Sequence, residues 1–403
     1  MRYSEQPLQT FRLRNFKAVR DSGVVKFTPL TVFIGNNGSG KSSLIEGLET
    51  FQSIVTNGLD EAMDKWRGFE NVLNKAVRHN YYYPKVGRPY LTNPLGFSLR
   101  GNTNLSDDSS RNANFSANMD VTADLNFDEI FVLREGAVTR GSTRTRYERL
   151  NERTVVVDIE KNEIKPWMEL NNTNESFWFE FKHNFFSAWQ FLSLDPSEMG
   201  QPRRQKRTGP TMRLSGNGSN IGDYLLEMIR TEGGTEALNG IIETLRYVLP
   251  YAKDVQPVIT TQIQRTVHLQ LAEQHFQVPG WLLSTGTLRV LALLAVLRHP
   301  DPPPLLCIEE IENGLDPRTL NLIVEEIARA TQSGKTQVVC TTHSPYFLDL
   351  LHLSQIVVVE RDAIGQPTFT RPDMTRLESW KKDFAPGQLY TMGQLSRPEG
   401  ADA

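Results

Sequence analysis

Cysteine is nearly absent from this chain: 403 residues contain only Cys307 and Cys340. Both stand inside apolar runs, so they read as small core residues in a reducing compartment, and a disulfide framework is excluded. No apolar run is long enough to cross a bilayer, and the opening Met1-Arg2-Tyr3-Ser4-Glu5-Gln6 has no apolar signal segment. A cytoplasmic protein with no membrane association is therefore expected. Neither sign of charge dominates, since 44 Lys and Arg against 47 Asp and Glu leave a net charge of −3. That balance argues against bulk coating of nucleic acid while allowing local basic patches. No internal repeat stands out, no stretch sustains an apolar heptad with charged flanks, and there is no Cys-x-x-Cys pair. The length suits one large composite domain or two ordinary ones, with ample core.

The strongest positive feature is Gly35-Asn36-Asn37-Gly38-Ser39-Gly40-Lys41-Ser42-Ser43, between the apolar run Leu30-Thr31-Val32-Phe33-Ile34 and a helical pattern over Lys41 to Val55. Glycines at this spacing let main-chain N–H groups turn inward as an anion nest, and the following helix adds its positive end. In such a loop Lys41 reaches the β and γ phosphates of a nucleotide and Ser42 ligates Mg²⁺. The alternative is a chance match in a turn, which would need neither the strand before nor the helix after.

Three further motifs lie in the last third of the chain. Leu305-Leu306-Cys307-Ile308-Glu309-Glu310 is an apolar strand ending in two carboxylates, followed by Ile311-Glu312-Asn313-Gly314-Leu315-Asp316-Pro317. Gln337-Val338-Val339-Cys340-Thr341-Thr342 is another buried-strand pattern, ending at His343-Ser344-Pro345. Upstream of both, Leu283-Ser284-Thr285-Gly286-Thr287-Leu288-Arg289 is a small-residue turn opening an apolar helix through Val290, Leu291, Leu293, Leu294, Val296 and Leu297. Taken singly, a charged doublet after a strand is usually a solvated strand end, and a Ser-x-Gly turn usually only a helix start. Their order carries the signal.

A phosphate loop, a Ser-x-Gly helix opening, an apolar-Glu-Glu strand, a Leu-Asp step and a strand-His step, in that sequence, resemble the layout of the RecF/SMC/OLD branch of ABC-type ATPases. The match is to the compact subgroup found among ATPase subunits of bacterial anti-phage systems and overcoming-lysogenization-defect proteins. It is close over residues 11 to 54 and 281 to 361 and thinner between them. The resemblance implies an α/β P-loop NTPase of ABC type, a mixed sheet with flanking helices and an inserted α+β lobe, without a long coiled coil. It further implies that the loop from Gly35 to Ser43 holds ATP, that Lys41 and Ser42 hold phosphates and metal, and that Glu309 is the Walker B carboxylate on Mg²⁺ or its waters. Glu310 would orient and deprotonate water, and His343 would be the switch histidine at the γ phosphate. Ser284 and Gly286 would form the signature that meets the γ phosphate of a partner subunit's ATP, and Asp316 would belong to a loop crossing the dimer interface. Two departures stand out. Glu309 replaces the Asp of most such enzymes, and no residue can be assigned to the glutamine loop, since Gln52 comes too early.

Along the chain, Phe11 to Val19 and Val24 to Ile34 are expected as two strands, and residues 61 to 79 as a helix. The Asn-, Ser- and Asp-rich stretch 101 to 120 reads as an exposed loop. Short strands follow between Met119 and Ile159, including Asp128 to Arg134 and Thr154 to Ile159. Phe177, Phe179 and Phe181 alternate in a half-buried strand that leads into an aromatic-rich helix. A basic connector from Gln201 to Arg213 precedes Gly218-Ser219-Asn220, which is either the N-cap of a helix at Ile221 or a nucleotide contact. A helix over Thr235 to Val248 and paired strands Val258 to Ile263 and Thr266 to Leu271 complete this region. The expected division is an ATPase core of 1–75 and 256–375, an inserted lobe of 76–255 and a tail of 376–403.

The absences bear on which relative the chain resembles. SMC-type enzymes would place long heptads in the insertion, and overcoming-lysogenization-defect nucleases carry a metal-binding Toprim domain after the histidine motif, for which the residues beyond His343 are too few. The chain is thus expected to be an Mg²⁺-dependent ATPase, dimeric through an ATP sandwich and open to higher assembly, serving as sensor or engine of an anti-phage complex whose effector, a nuclease, is a separate polypeptide. The alternatives are a RecF-like DNA-repair or chromosome-maintenance ATPase and an ATP-gated scaffold with little turnover. Arg134, Arg140, Arg144, Arg146, Arg149 and Arg153 form one basic cluster, and Arg203, Arg204, Lys206 and Arg207 another. Both read as a solvated face or as contacts to the phosphate backbone of DNA or RNA.

Overall fold

The computed structural model describes residues 6–84, 89–103, 114–124, 129–140, 144–150, 153–158, 163–166, 185–205, 213–260 and 265–396, with the main chain alone from 139 to 166. The chain divides into two compact units, one of Met1–Trp189, Leu353–Glu378 and Gly393–Ala403, the other of Gln190–His352 and Ser379–Met392.

Among the described residues, the first unit is built on a nine-stranded sheet. Thr10–Phe16 pairs antiparallel with Leu95–Asn102, which is followed by the meander Asn114–Ala123, Ile130–Arg140, Arg144–Leu150, Arg153–Asp158 and Glu163–Pro166. Alternation sets the faces. Phe11 and Leu13 are fully buried, while Arg12 and Arg14 point outward to Asp21 and Asp120. Helix Lys41–Asn57 lies on the buried face, where Gly47 admits the Leu13 side chain and the Phe51 ring sits 5.7 Å from Phe97 and 5.3 Å from Phe186. Apart from this sheet, Leu30–Ile34 runs parallel to Ile356–Arg361, which turns back antiparallel as Pro367–Thr370.

In the second unit Leu305–Ile308 lies between Gln190–Leu192 and Gln337–Thr342, all parallel. Leu305–Ile308 and Gln337–Thr342 are buried along their length, as a sheet covered on both faces requires. Helix Thr285–Leu297 is buried at every position from Thr287 onward, which is why its sequence is apolar on all sides rather than striped. A small antiparallel sheet joins Arg203–Arg204, Asp254–Thr260, Thr266–Ala272 and Gln277–Pro279.

The expected α/β architecture is present, and among the described residues the longest helix has 17 residues, so no long coiled coil occurs there. Several finer expectations need correction. The run Phe11 to Val19 is two strands, because Asn15 and Lys17 take positive φ (58° and 47°) and turn the chain into Val19–Asp21. The run Val24 to Ile34 is interrupted between Lys26 and Leu30, where Pro29 has no N–H to offer a ladder. The expected helix 61–79 is a short helix Leu59–Asp64 and a 3-10 turn Phe69–Asn71, separated at Arg67 and Gly68 with φ of 60° and 119°. Both ends of the expected loop 101–120 are strand; its middle, like the phenylalanine alternation at 177–181, lies outside the described residues.

Candidate nucleotide site

In the first unit, strand Leu30–Ile34 is buried at all five positions and delivers the loop 35–40 to the N-terminus of helix Lys41–Asn57. That helix has no acidic residue in its first turn and no side-chain cap, so its positive end faces the loop unopposed. Gly40 has φ of 110°, and any side chain there would meet Pro367 at 2.7 Å; only glycine suits both constraints. Lys41 is buried, and its Nζ folds back to donate to the carbonyls of Gly35 (2.7 Å) and Asn36 (3.0 Å). Ser39 Oγ is buried with no hydrogen-bond partner among the described residues. An orphaned hydroxyl, a lysine amine on loop carbonyls and an uncapped helix start suit a bound phosphate. Asn36, Asn37, Gly38 and Ser42 are exposed and Ser43 is buried.

A residue outside the motif holds this loop. Arg361, at the end of its strand, donates through Nε (2.9 Å) and Nη2 (2.7 Å) to the carbonyl of Gly38 and through Nη1 to that of Gly365 (2.7 Å). The fork fixes the crest of the phosphate loop to the hairpin beside it.

In the second unit, the end of strand Leu305–Ile308 presents Glu309, half-buried, and Glu310, exposed. Glu310 takes φ of 48°, a left-handed conformation that a non-glycine residue adopts at a cost of about 1–3 kcal/mol unless its surroundings enforce it. They do. Its N–H donates to Thr341 Oγ1 at 2.9 Å, and its carbonyl accepts from Asn313 N (3.0 Å) and from Arg289 Nη1 (3.4 Å). Arg289, buried on the apolar helix, also donates through Nη2 to the carbonyl of Leu194 (2.7 Å). Burial lowers the pKa of Arg289, and the charges of Glu310, Asp195 and Glu312 oppose that shift.

Ser284 caps helix Thr285–Leu297, its Oγ accepting from Thr287 N at 3.1 Å. Gly286 lies so close to Gly314 that a side chain would come within 2.6 Å of the Gly314 carbonyl. The small-residue turn thus touches the loop that follows the carboxylate doublet. Asp316 ends that loop as the N-cap of helix Pro317–Gln332, accepting from Arg318 N (2.9 Å) and Thr319 N (3.2 Å). The Thr319 hydroxyl, then the main-chain donors, hold its carboxyl below the usual range despite partial burial. His343 is exposed just after strand Gln337–Thr342, and its N–H donates to Glu312 Oε1. The second unit therefore gathers Ser284, Gly286, Glu309, Glu310, Asp316 and His343 on connected loops, while Gly35 to Ser43 belong to the first.

Residues 8–189 match the family described as "AAA ATPase domain" and residues 238–349 the family described as "AAA domain, putative AbiEii toxin, Type IV TA system". No curated protein matches the sequence. Among solved structures, the "SmcHead bound to the C-winged helix domain of ScpA" is similar with a TM-score of 0.53 at 13% identity, over 91% of this chain and 98% of that one. The chain has the α/β P-loop fold of ABC-type ATPase heads. Weaker likenesses are an SMC head domain from Thermotoga maritima (TM-score 0.40, 13% identity, 91% and 99% covered) and the Smc head of Pyrococcus furiosus bound to the C-terminal domain of ScpA (0.49, 11%, 93% and 98%). Among the described residues no helix is long and apolar enough to cross a membrane.

Four residues that the motifs leave without a role support the site: Arg289, Glu312, Thr341 and Arg361. Arg289 and Thr341 fall inside apolar runs that read as core. Arg361 is brought to the phosphate loop across 323 residues of chain, which no local pattern announces. Gln52, set aside as a glutamine-loop residue, donates instead to the carbonyl of Phe186 at 3.0 Å. Asn220 stands at the N-cap position of Ile221–Arg230 without capping it; its side chain ties Ser215 N and Arg213 O together. Of the basic clusters, Arg203 and Arg204 are exposed in a strand, whereas Lys206, Arg207 and the side chains from Arg140 to Arg153 lie outside the described residues.

Proposed function

We propose that the protein binds and hydrolyses ATP with Mg²⁺ as an ATP-bridged homodimer, and that it is the sensor or engine subunit of a bacterial anti-phage complex with a separate nuclease effector. The observation that carries the hydrolytic reading is Glu310, an exposed carboxylate held in a left-handed conformation at the end of a buried strand. Such strain persists where a side chain must be aimed.

On this reading Lys41 leaves the carbonyls of Gly35 and Asn36 for the β and γ phosphates, and the loop amides from Asn36 to Ser43 take the remaining oxygens. Ser42 and Glu309 would hold Mg²⁺, which supplies charge neutralisation at the phosphates. Glu310 accepts the proton of the attacking water, and His343 donates to the γ phosphate. Ser284 and Gly286 serve the ATP of the partner subunit, with Asp316 holding the interface loop in shape.

The defence role is supported by the second matched family, whose description names an AbiEii toxin. A separate protein partner is supported by the similar SMC head, which is bound to a domain of ScpA. Expression with the neighbouring gene of its operon tests the role. Co-purification with a nuclease whose activity depends on ATP is the expected result. Turnover stimulated by DNA, with no such partner, would favour the repair reading, and ATP binding without turnover the scaffold.

A further inference from the structure

The loop between the carboxylate doublet and helix Pro317–Gln332 carries a third carboxylate, Glu312, to which the motif assigns nothing. Its side chain turns inward. Oε1 accepts the main-chain N–H of His343 at 2.5 Å, and Oε2 is buried with no hydrogen-bond partner among the described residues. A carboxylate withdrawn from water is unfavourable unless hydrogen-bonded, and the bond from the His343 N–H to Oε1 is the contact that holds this side chain inward.

We propose that Glu312 is the positioning residue of His343. The imidazole is exposed and begins the turn after strand Gln337–Thr342, so its direction depends on how the main chain leaves that strand. The neighbouring polar groups are engaged elsewhere: Thr342 Oγ1 accepts from Ser344 N (3.0 Å), and Ser344 Oγ caps the next helix through Phe347 N (3.2 Å). Glu312 Oε1 alone, among the described residues, takes the His343 N–H.

The loop that carries Glu312 is itself pinned at two points. Ile311 N donates to the carbonyl of Thr341 at 3.1 Å, and Gly314 packs on Gly286. Glu312 therefore ties the histidine to the loop that the Ser284-Thr285-Gly286 turn touches. This rests on the hydrolytic reading of the site only for its functional consequence; the positioning itself is independent of it.

Glu312→Gln keeps an acceptor oxygen for the His343 N–H, and Glu312→Ala removes it; Glu312→Met, which keeps the bulk, replaces the alanine variant if that fails to fold. Two readouts are compared. Hydrogen exchange at the His343 amide should be slow in the wild-type and glutamine proteins and at least about tenfold faster in the alanine variant. Turnover should fall by roughly 10- to 100-fold in kcat in the alanine variant, the scale of a small misplacement of a reacting group, with KM little changed and recovery in the glutamine variant. Wild-type exchange at His343 in Glu312→Ala, or turnover lost as deeply in Glu312→Gln as in Glu312→Ala, overturns the proposal. Absence of turnover in the wild-type protein would instead strike the ATPase reading and leave the exchange comparison to decide this one.

Discussion

The main-chain N–H of Glu310 donates to the hydroxyl of Thr341 at 2.9 Å, so the carboxylate proposed for the chemistry is fixed by the strand next to its own. Leu305–Ile308 and Gln337–Thr342 are parallel neighbours, and this bond joins their carboxyl ends, where ligands bind in open α/β sheets. Thr341→Val preserves shape but removes the acceptor and leaves the N–H of Glu310 unpaired, a loss of about 1–3 kcal/mol. The expected outcome is a fall in kcat with ATP affinity unchanged, and recovery in Thr341→Ser. Equal turnover in the valine variant would show that Glu310 is aimed without this bond.

Lys41 tests nucleotide binding. Its buried amine donates to the main-chain carbonyls of Gly35 and Asn36, and Lys41→Ala removes the point charge that would face the β and γ phosphates, so a folded Lys41→Ala protein should lose measurable ATP affinity. Calorimetric titration with ATP decides it, near-normal affinity being the result that removes the phosphate-loop assignment.

How much of this was legible beforehand varies by element. Leu30–Ile34, Lys41–Asn57, Leu305–Ile308 and Gln337–Thr342 are local patterns, a buried apolar run or a helical period beside a small-residue turn, and their sequence shows them directly. The short strands at Val19–Asp21 and Val25–Lys26 were hidden because they depend on left-handed residues at Asn15 and Lys17 and a break at Pro29, which propensity does not weigh. The motif residues could be named in advance, but their supports could not. Arg289 is one charge in an apolar helix, and its two carbonyl partners, of Leu194 and Glu310, come from distant segments. Such partners exist only once the chain has folded.

Shared sites between two subunits can be tested by complementation. Ser284→Arg should bind ATP as a single subunit yet fail to form the dimer and lose hydrolysis, since the arginine occupies the turn that would face a partner's phosphate. Mixed with Lys41→Ala, it should regain activity, with at most one working site per dimer, formed from its own phosphate loop and the intact turn of the other variant. Turnover is followed across mixing ratios under conditions in which subunits exchange. No recovery at any ratio would contradict an active site composed from two chains.

The central claim is that this chain hydrolyses ATP through Glu310, and phosphate release by the purified protein with ATP and Mg²⁺ tests it most directly. The wild-type protein should turn over, and Glu310→Gln should bind ATP normally while releasing phosphate roughly 10²–10⁴-fold more slowly, the contribution of a positioned base. Wild-type rates in Glu310→Gln, or the same loss produced by Glu309→Gln with Glu310→Gln nearly silent, would contradict the account.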